Sequence, residues 1–164
     1  MGLTLWVFVL ASFLISVVAS AVIASLEDVD ASWPGVWMVV EAMLGAWLIV
    51  AVWTALGVAL AIVSRGTSLA IGIGLLYGLA LEGLAEALLR QVDALEPLVQ
   101  GLVRANAYSL AGALGMAEAE AAGNGPGSYA GRFVGGLQAT LVLLSLTAAF
   151  IAVSAALLTR RDVT

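Results

Sequence analysis

The sequence lacks cysteine and histidine altogether, and its six basic residues are all arginine, so lysine is absent as well. Without thiols and imidazoles, neither disulfide bonds nor zinc or thiol chemistry is available, and no metal site is expected. Charged residues make up only 10% of the 164 residues, against about 25% in a typical soluble domain. This scarcity of charge excludes a soluble globular domain and a disordered chain.

Apolar residues take the place of the missing charge and make up 63% of the chain. The net charge is −5, and a negative chain without a basic patch repels phosphates, which excludes a nucleic-acid partner. At this length one domain is expected, covering residues 1–164, and the lipid bilayer is its first partner.

Four long apolar windows are the candidate membrane spans. A helix needs about 20 mostly apolar residues to cross the hydrocarbon core, where only helices and closed barrels satisfy their backbone groups. The windows lack the two-residue alternation of barrel strands, which favours helices. The predicted fold is therefore an all-α polytopic membrane protein, with four transmembrane helices at approximately 3–25, 36–63, 67–89 and 133–158.

Two connections between the spans carry further patterns. Residues 64–67 form a tight turn, in which Thr67 is a candidate N-cap for the third helix. Residues 90–132 form a long loop, in which apolar residues recur at helical spacing, namely Leu95, Leu98, Val99, Leu102 and Val103. This periodicity predicts a short amphipathic helix that lies at the membrane interface before the last span.

Three acidic residues lie within or near the spans. Glu82 and Glu86 are four residues apart on one face of the third helix. Counting residues from Arg65 places Glu41 and Glu86 near the same membrane face, with Glu82 about 6 Å deeper. A carboxylate in the bilayer is costly and usually faces protein or water. One interpretation is a proton relay or a polar substrate path; the other is that Glu41 and Glu86 snorkel to the interface and only Glu82 is buried.

Gly74 and Gly78 extend the same face of the third helix. Small residues at this four-residue spacing let another helix approach closely, so we expect a packing face there. The spacing leaves open whether the partner helix belongs to the same chain or to a second subunit.

Catalytic and nucleotide-binding motifs are not recognisable in the sequence. No nucleophile and base are paired, and carboxylates, tyrosine and arginine are the remaining acid–base groups. The glycine clusters follow no strand and precede no lysine, unlike phosphate-binding loops. We therefore expect no enzyme activity, no cofactor bound by this chain and no ATP site of its own.

The arginines leave the orientation in the membrane undecided. Four crossings place both termini on one side together with Arg65, Arg160 and Arg161. The opposite side carries the other three arginines, so the positive-inside rule gives a tie.

The order of these features resembles the ABC-2 type transporter permeases. The tail with Arg160-Arg161-Asp162 is similar to the end of that family's closing helix. Four segments carry the resemblance: the closing helix and tail at 155–163, the tight cytoplasmic turn between the family's fourth and fifth helices at 59–72, the fifth helix at 77–84, and the external region before the last helix at 90–132.

The resemblance implies a permease subunit of an ATP-driven exporter. Such a subunit pairs with a second permease subunit, as a homodimer or heterodimer, and a separate cytoplasmic ATP-binding subunit supplies the ATP. The resemblance places the chain in a prokaryotic inner membrane, with both termini, Arg65, Arg160 and Arg161 in the cytoplasm. The chain begins where the family's third helix would, so the N-terminal elbow, first two helices and coupling helix are expected to be missing.

Two functions from other classes fit the same residues. The first is a small four-helix membrane scaffold that assembles with other membrane proteins through Gly74 and Gly78. The second is a proton-coupled carrier that uses Glu82.

Overall fold

The computed structural model describes residues 2–27, 34–89, 91–92, 95–115 and 134–161. Over these residues the chain is helical and has no strand. Four of its helical segments are long and apolar enough to cross a membrane. The predicted all-α fold of a polytopic membrane protein is therefore confirmed.

The spanning segments lie within three residues of their predicted bounds. The third span, Thr67–Leu89, is continuous but changes its helical type in the middle. In chain order the elements are α1 (Gly2–Glu27), α2 (Val36–Ser64), α3 (Thr67–Leu76), a π-helical turn (Tyr77–Leu81), α4 (Glu82–Leu89), α5 (Glu96–Val99), α6 (Val103–Ala113) and α7 (Gly136–Arg161).

The tight turn between α2 and α3 forms as predicted, but its capping residue is different. Arg65 ends α2 in the left-handed region, with φ 54° and ψ 24°. Because the chain already turns at Arg65, Gly66 takes the N-cap position of α3 and Thr67 becomes the first helical residue. The prediction that Thr67 caps this helix is wrong.

The π-helical turn changes the direction of side chains along the third span. Its last hydrogen bond runs from the N–H of Glu82 to the carbonyl of Tyr77, five residues earlier. A π turn holds an extra residue, so the side chains that follow it are rotated relative to a continuous α-helix. Glu82 is the first residue after this turn.

The segment before the last span contains two helices where the periodicity predicts one. α5 has Pro97 in its first turn, and α6 begins after a break at residues 100–102. Val99 and Val103 are buried on either side of the break, whereas Leu98 is exposed. α6 packs against both α2 and α7, so its residues are part of the protein interior.

The hydrophobic core lies where α2, α6 and α7 meet. Its fully or almost fully buried members are Leu48, Val52, Val103, Leu110, Ala139 and Leu143. α1 packs mainly against α2, and the ring of Trp6 stacks on that of Trp47 with 5.7 Å between centroids. The outer faces of the spans are apolar and exposed, as lipid contact requires.

Candidate functional site

Glu82 is the most deeply buried ionisable side chain that the described residues contain, with 1% of its surface exposed. Its Oε1 accepts a hydrogen bond of 2.8 Å from the backbone N–H of Arg104. Arg104 is the second residue of α6, and the first N–H groups of a helix have no partner within the helix. Glu82, which lies in the third span, therefore caps the N-terminus of α6, where the helix dipole favours a negative charge.

Two further side chains surround this cap. Tyr77 and the guanidinium of Arg104 lie near enough to interact with the Glu82 carboxyl group. The guanidinium also lies over Gly83, where an added Cβ would be 2.9 Å from Nη1. It lies 5.6 Å from the ring centroid of Tyr108, within the range of a cation–π interaction. The cap therefore includes a charged cluster, with Tyr77 near its carboxyl group and Tyr108 beside its guanidinium.

The structure does not bring the three sequence-predicted acids into one site. Glu86, one turn after Glu82, is also buried, with 8% of its surface exposed. The interpretation in which only Glu82 is buried is therefore wrong. Glu41 is exposed and lies in a different region, near Leu110 and Leu114 at the C-terminal end of α6.

Gly74 and Gly78 face α2 of the same chain. An added Cβ at Gly78 would lie 3.2 Å from the Trp53 ring, and one at Gly74 would lie 3.7 Å from Leu60. The Trp53 ring also lies 6.3 Å from the ring of Tyr77. These glycines thus let α2 and the third span approach each other. The sequence had left open whether the partner helix belongs to the same chain, and here it does.

α6 is also packed closely against α7 and α2 near its C-terminal end. A Cβ at Gly136, the first residue of α7, would lie 2.9 Å from the Cβ of Ala113. Gly45 of α2 lies directly under the side chain of Leu114. The hydroxyl of Ser109 accepts a hydrogen bond of 3.1 Å from the N–H of Val134. α6 therefore packs closely against both α2 and α7 at these points.

Asn106 holds the break between α5 and α6. Its Nδ2 donates to the carbonyls of Gln100 at 2.6 Å and Leu102 at 2.8 Å. The side chain is fully buried. Sequence reasoning missed Arg104, Asn106 and Ser109; the available signal was the run of Ala, Ser, Gly and Asn within 103–113, typical of close helix packing in membranes.

A groove of about 340 Å³ opens between α2, α6 and α7. Most of its lining is leucine, and Glu41 and Thr140 bring a carboxylate and a hydroxyl to it. Its lining residues are Glu41, Leu44, Gly45, Trp47, Leu48, Leu110, Leu114, Thr140 and Leu144.

The remaining sequence-predicted residues are arginines. Arg65 is exposed at the turn between α2 and α3. The backbone of α7 extends to Arg161, and the side chains of Arg160 and Arg161 lie outside the described residues. Across the described ranges, no three acidic residues are grouped so that they could hold a metal ion.

In comparisons with known proteins, the chain matches no family model, no curated protein and no solved structure.

Proposed function

We propose that the chain is a membrane-spanning permease subunit of an ABC-2 type ATP-driven exporter. In this proposal it works in a prokaryotic inner membrane, with both termini and Arg65 in the cytoplasm. A second permease subunit and a separate ATP-binding subunit complete the complex. The chain itself contributes the membrane path and no catalytic group.

The observation that carries the proposal is the attachment of α6 between the third span and the closing span. The sequence resemblance implies an external region before the last helix, and two helices, α5 and α6, occupy that place in the chain. Glu82 caps α6 from one side, while Gly136 and Val134 hold it from the other. A segment fixed in this way couples the positions of two spans, as a subunit that moves during transport requires.

The carrier and scaffold hypotheses receive less support from the geometry. One oxygen of Glu82, Oε1, accepts a hydrogen bond from the backbone N–H of Arg104, which is a structural use of that atom. Gly74 and Gly78 are covered by α2, so they are not a free face for another protein. A scaffold would need a different contact surface.

The proposed function is tested by purification of the tagged chain from its native membrane in mild detergent. Mass spectrometry should find an ATP-binding subunit in stoichiometric amount, and the purified complex should hydrolyse ATP. A chain that purifies without any ATP-binding protein, in several detergents that preserve its helical content, would contradict the proposal.

A further inference from the structure

The groove between α2, α6 and α7 has the size of a ligand site. Its volume is about 340 Å³, and small-molecule pockets span about 300–1,000 Å³. Its walls are mainly the leucine side chains of three helices, which suit a hydrocarbon chain. Glu41 is the one charged residue that the described chain contributes to it.

The polar and apolar parts of the groove are arranged along its length. α2 and α7 are separated by one return span, so they cross the membrane in the same direction. Glu41 and Thr140 both lie near the starts of these helices, hence at the same end of the groove. Leu48 lies two turns beyond Glu41, about 10 Å further along α2. The groove therefore has a polar end and an apolar body.

Both polar groups at that end are acceptors of hydrogen bonds. The carboxylate of Glu41 has no proton to give when it is charged. The hydroxyl of Thr140 donates its proton to the carbonyl of Gly136, at 2.8 Å, so its lone pairs remain to accept. Trp47 also lines the groove; its ring stacks on Trp6, and its indole nitrogen is buried without a hydrogen-bond partner. A head group that complements Glu41 and Thr140 is therefore a donor and should carry positive charge.

We propose that this groove binds a single-chain primary alkylammonium ion. Its ammonium group lies at Glu41 and Thr140, and its alkyl chain runs along Leu44, Leu48 and Leu144. An ammonium group has three donors and a compact charge, which suits two acceptors at the mouth of an apolar groove. An anionic amphiphile would meet the carboxylate of Glu41 and be repelled.

This site goes beyond the exporter proposal, because binding requires neither an ATP-binding subunit nor a second permease subunit. It is therefore tested on the purified chain in phosphatidylcholine nanodiscs. The probe is dodecylamine with a diazirine near the end of its chain, and peptide mass spectrometry locates the labelled residues. Labelling should fall on the groove and should be displaced by dodecylamine far better than by dodecanol.

Two variants with matched controls sharpen the test. Glu41→Gln removes the charge but keeps the shape, and should weaken displacement by dodecylamine about fivefold, whereas Glu41→Asp should retain most of it. Leu144→Trp fills the groove and should abolish labelling. Leu141→Trp makes the same change at an exposed position of the same helix that does not line the groove, and should leave labelling unchanged.

Three outcomes would overturn the proposal. Equal displacement by dodecanol and dodecylamine would show an apolar surface without charge selection. Unchanged binding in Glu41→Gln, which is a substitution at an exposed side chain and so keeps the fold, would remove the role of the carboxylate. Loss of probe labelling when phosphatidylethanolamine is included in the nanodisc lipid would assign the groove to membrane lipid.

Discussion

Glu82 and Arg104 are joined by a hydrogen bond of 2.8 Å between a carboxylate oxygen and a backbone nitrogen, across 22 residues of sequence. The bond connects the deepest acid of the third span to the first turn of α6. A carboxylate at a helix N-terminus is stabilised both by the unpaired N–H groups and by the helix dipole. The burial of Glu82 thus has a structural cause that requires no proton transport.

Gly136→Ala should force α6 away from α7. The new methyl group would lie 2.9 Å from the Cβ of Ala113, and neither carbon can move by rotating a side chain. We expect the free energy of unfolding to fall by about 1–3 kcal/mol, measured by thermal unfolding in nanodiscs. Gly57→Ala is the control, since a Cβ there meets open space; it should be neutral or slightly stabilising. Equal effects of the two substitutions would contradict the packing.

Gly78→Leu should destabilise the chain without specifically breaking an oligomer. Its side chain would collide with the ring of Trp53 in the same chain, at a cost of about 1–3 kcal/mol. Gly72→Leu lies in the same span and meets open space, so it should have little effect. Size-exclusion chromatography with light scattering gives the second readout. A stable Gly78→Leu monomer formed from a larger wild-type complex would instead support the scaffold hypothesis.

Asn106→Asp should loosen the break before α6. The substitution keeps the shape of the side chain but replaces the amide donor, leaving oxygen atoms opposite the carbonyls of Gln100 and Leu102. We expect a loss of about 3 kcal/mol at neutral pH, since two hydrogen bonds are lost and buried acceptors are left unpaired. Gln91→Glu, an amide-to-acid change at an exposed side chain outside this break, should change stability by about 0.5 kcal/mol or less. Equal unfolding curves for the two variants would refute the role of Asn106.

The orientation that the exporter proposal requires can be measured directly, because the chain has no native cysteine. Ser68→Cys lies in the first turn of α3, and Gln91→Cys follows α4; both side chains are exposed. A membrane-impermeant maleimide added to intact cells should label position 91, and should reach position 68 only after permeabilisation. The reverse pattern would place the Arg65 turn outside and contradict the proposed topology.

The membrane spans were predictable because hydropathy is a local property. Window length located three helices directly, since a span must be apolar over about 20 residues wherever it packs. The third required an extension of its charge-free window through Glu82 and Glu86 to Leu89. The turn at Arg65 was predictable in the same way, because a short polar segment separates two apolar windows there. The N-cap was assigned to Thr67 because side-chain preference was the only local signal. In the structure Arg65 adopts a left-handed conformation and Gly66 takes the N-cap position.

The setting of the candidate site was not predictable in the same way. Glu82 could be singled out as an acid inside a span, but its partner is a backbone N–H in a helix 22 residues away. The π-helical turn that precedes it leaves no distinct sequence pattern. Asn106 and Ser109 looked like polar residues of an external loop, and only the packing of α6 against α2 and α7 shows that they are buried.

Hydrogen exchange of the Val103–Ala113 helix, followed by mass spectrometry in nanodiscs, tests the cap at Glu82 most directly. Glu82→Ala removes the acceptor and should speed exchange of the first-turn amides, including that of Arg104, by about tenfold or more, as expected for a lost hydrogen bond to a charged group. Glu82→Gln keeps an acceptor oxygen and should have a smaller effect, while Leu84→Ala, at an exposed position of the same helix, should have none. Unchanged protection of α6 in Glu82→Ala would contradict the account.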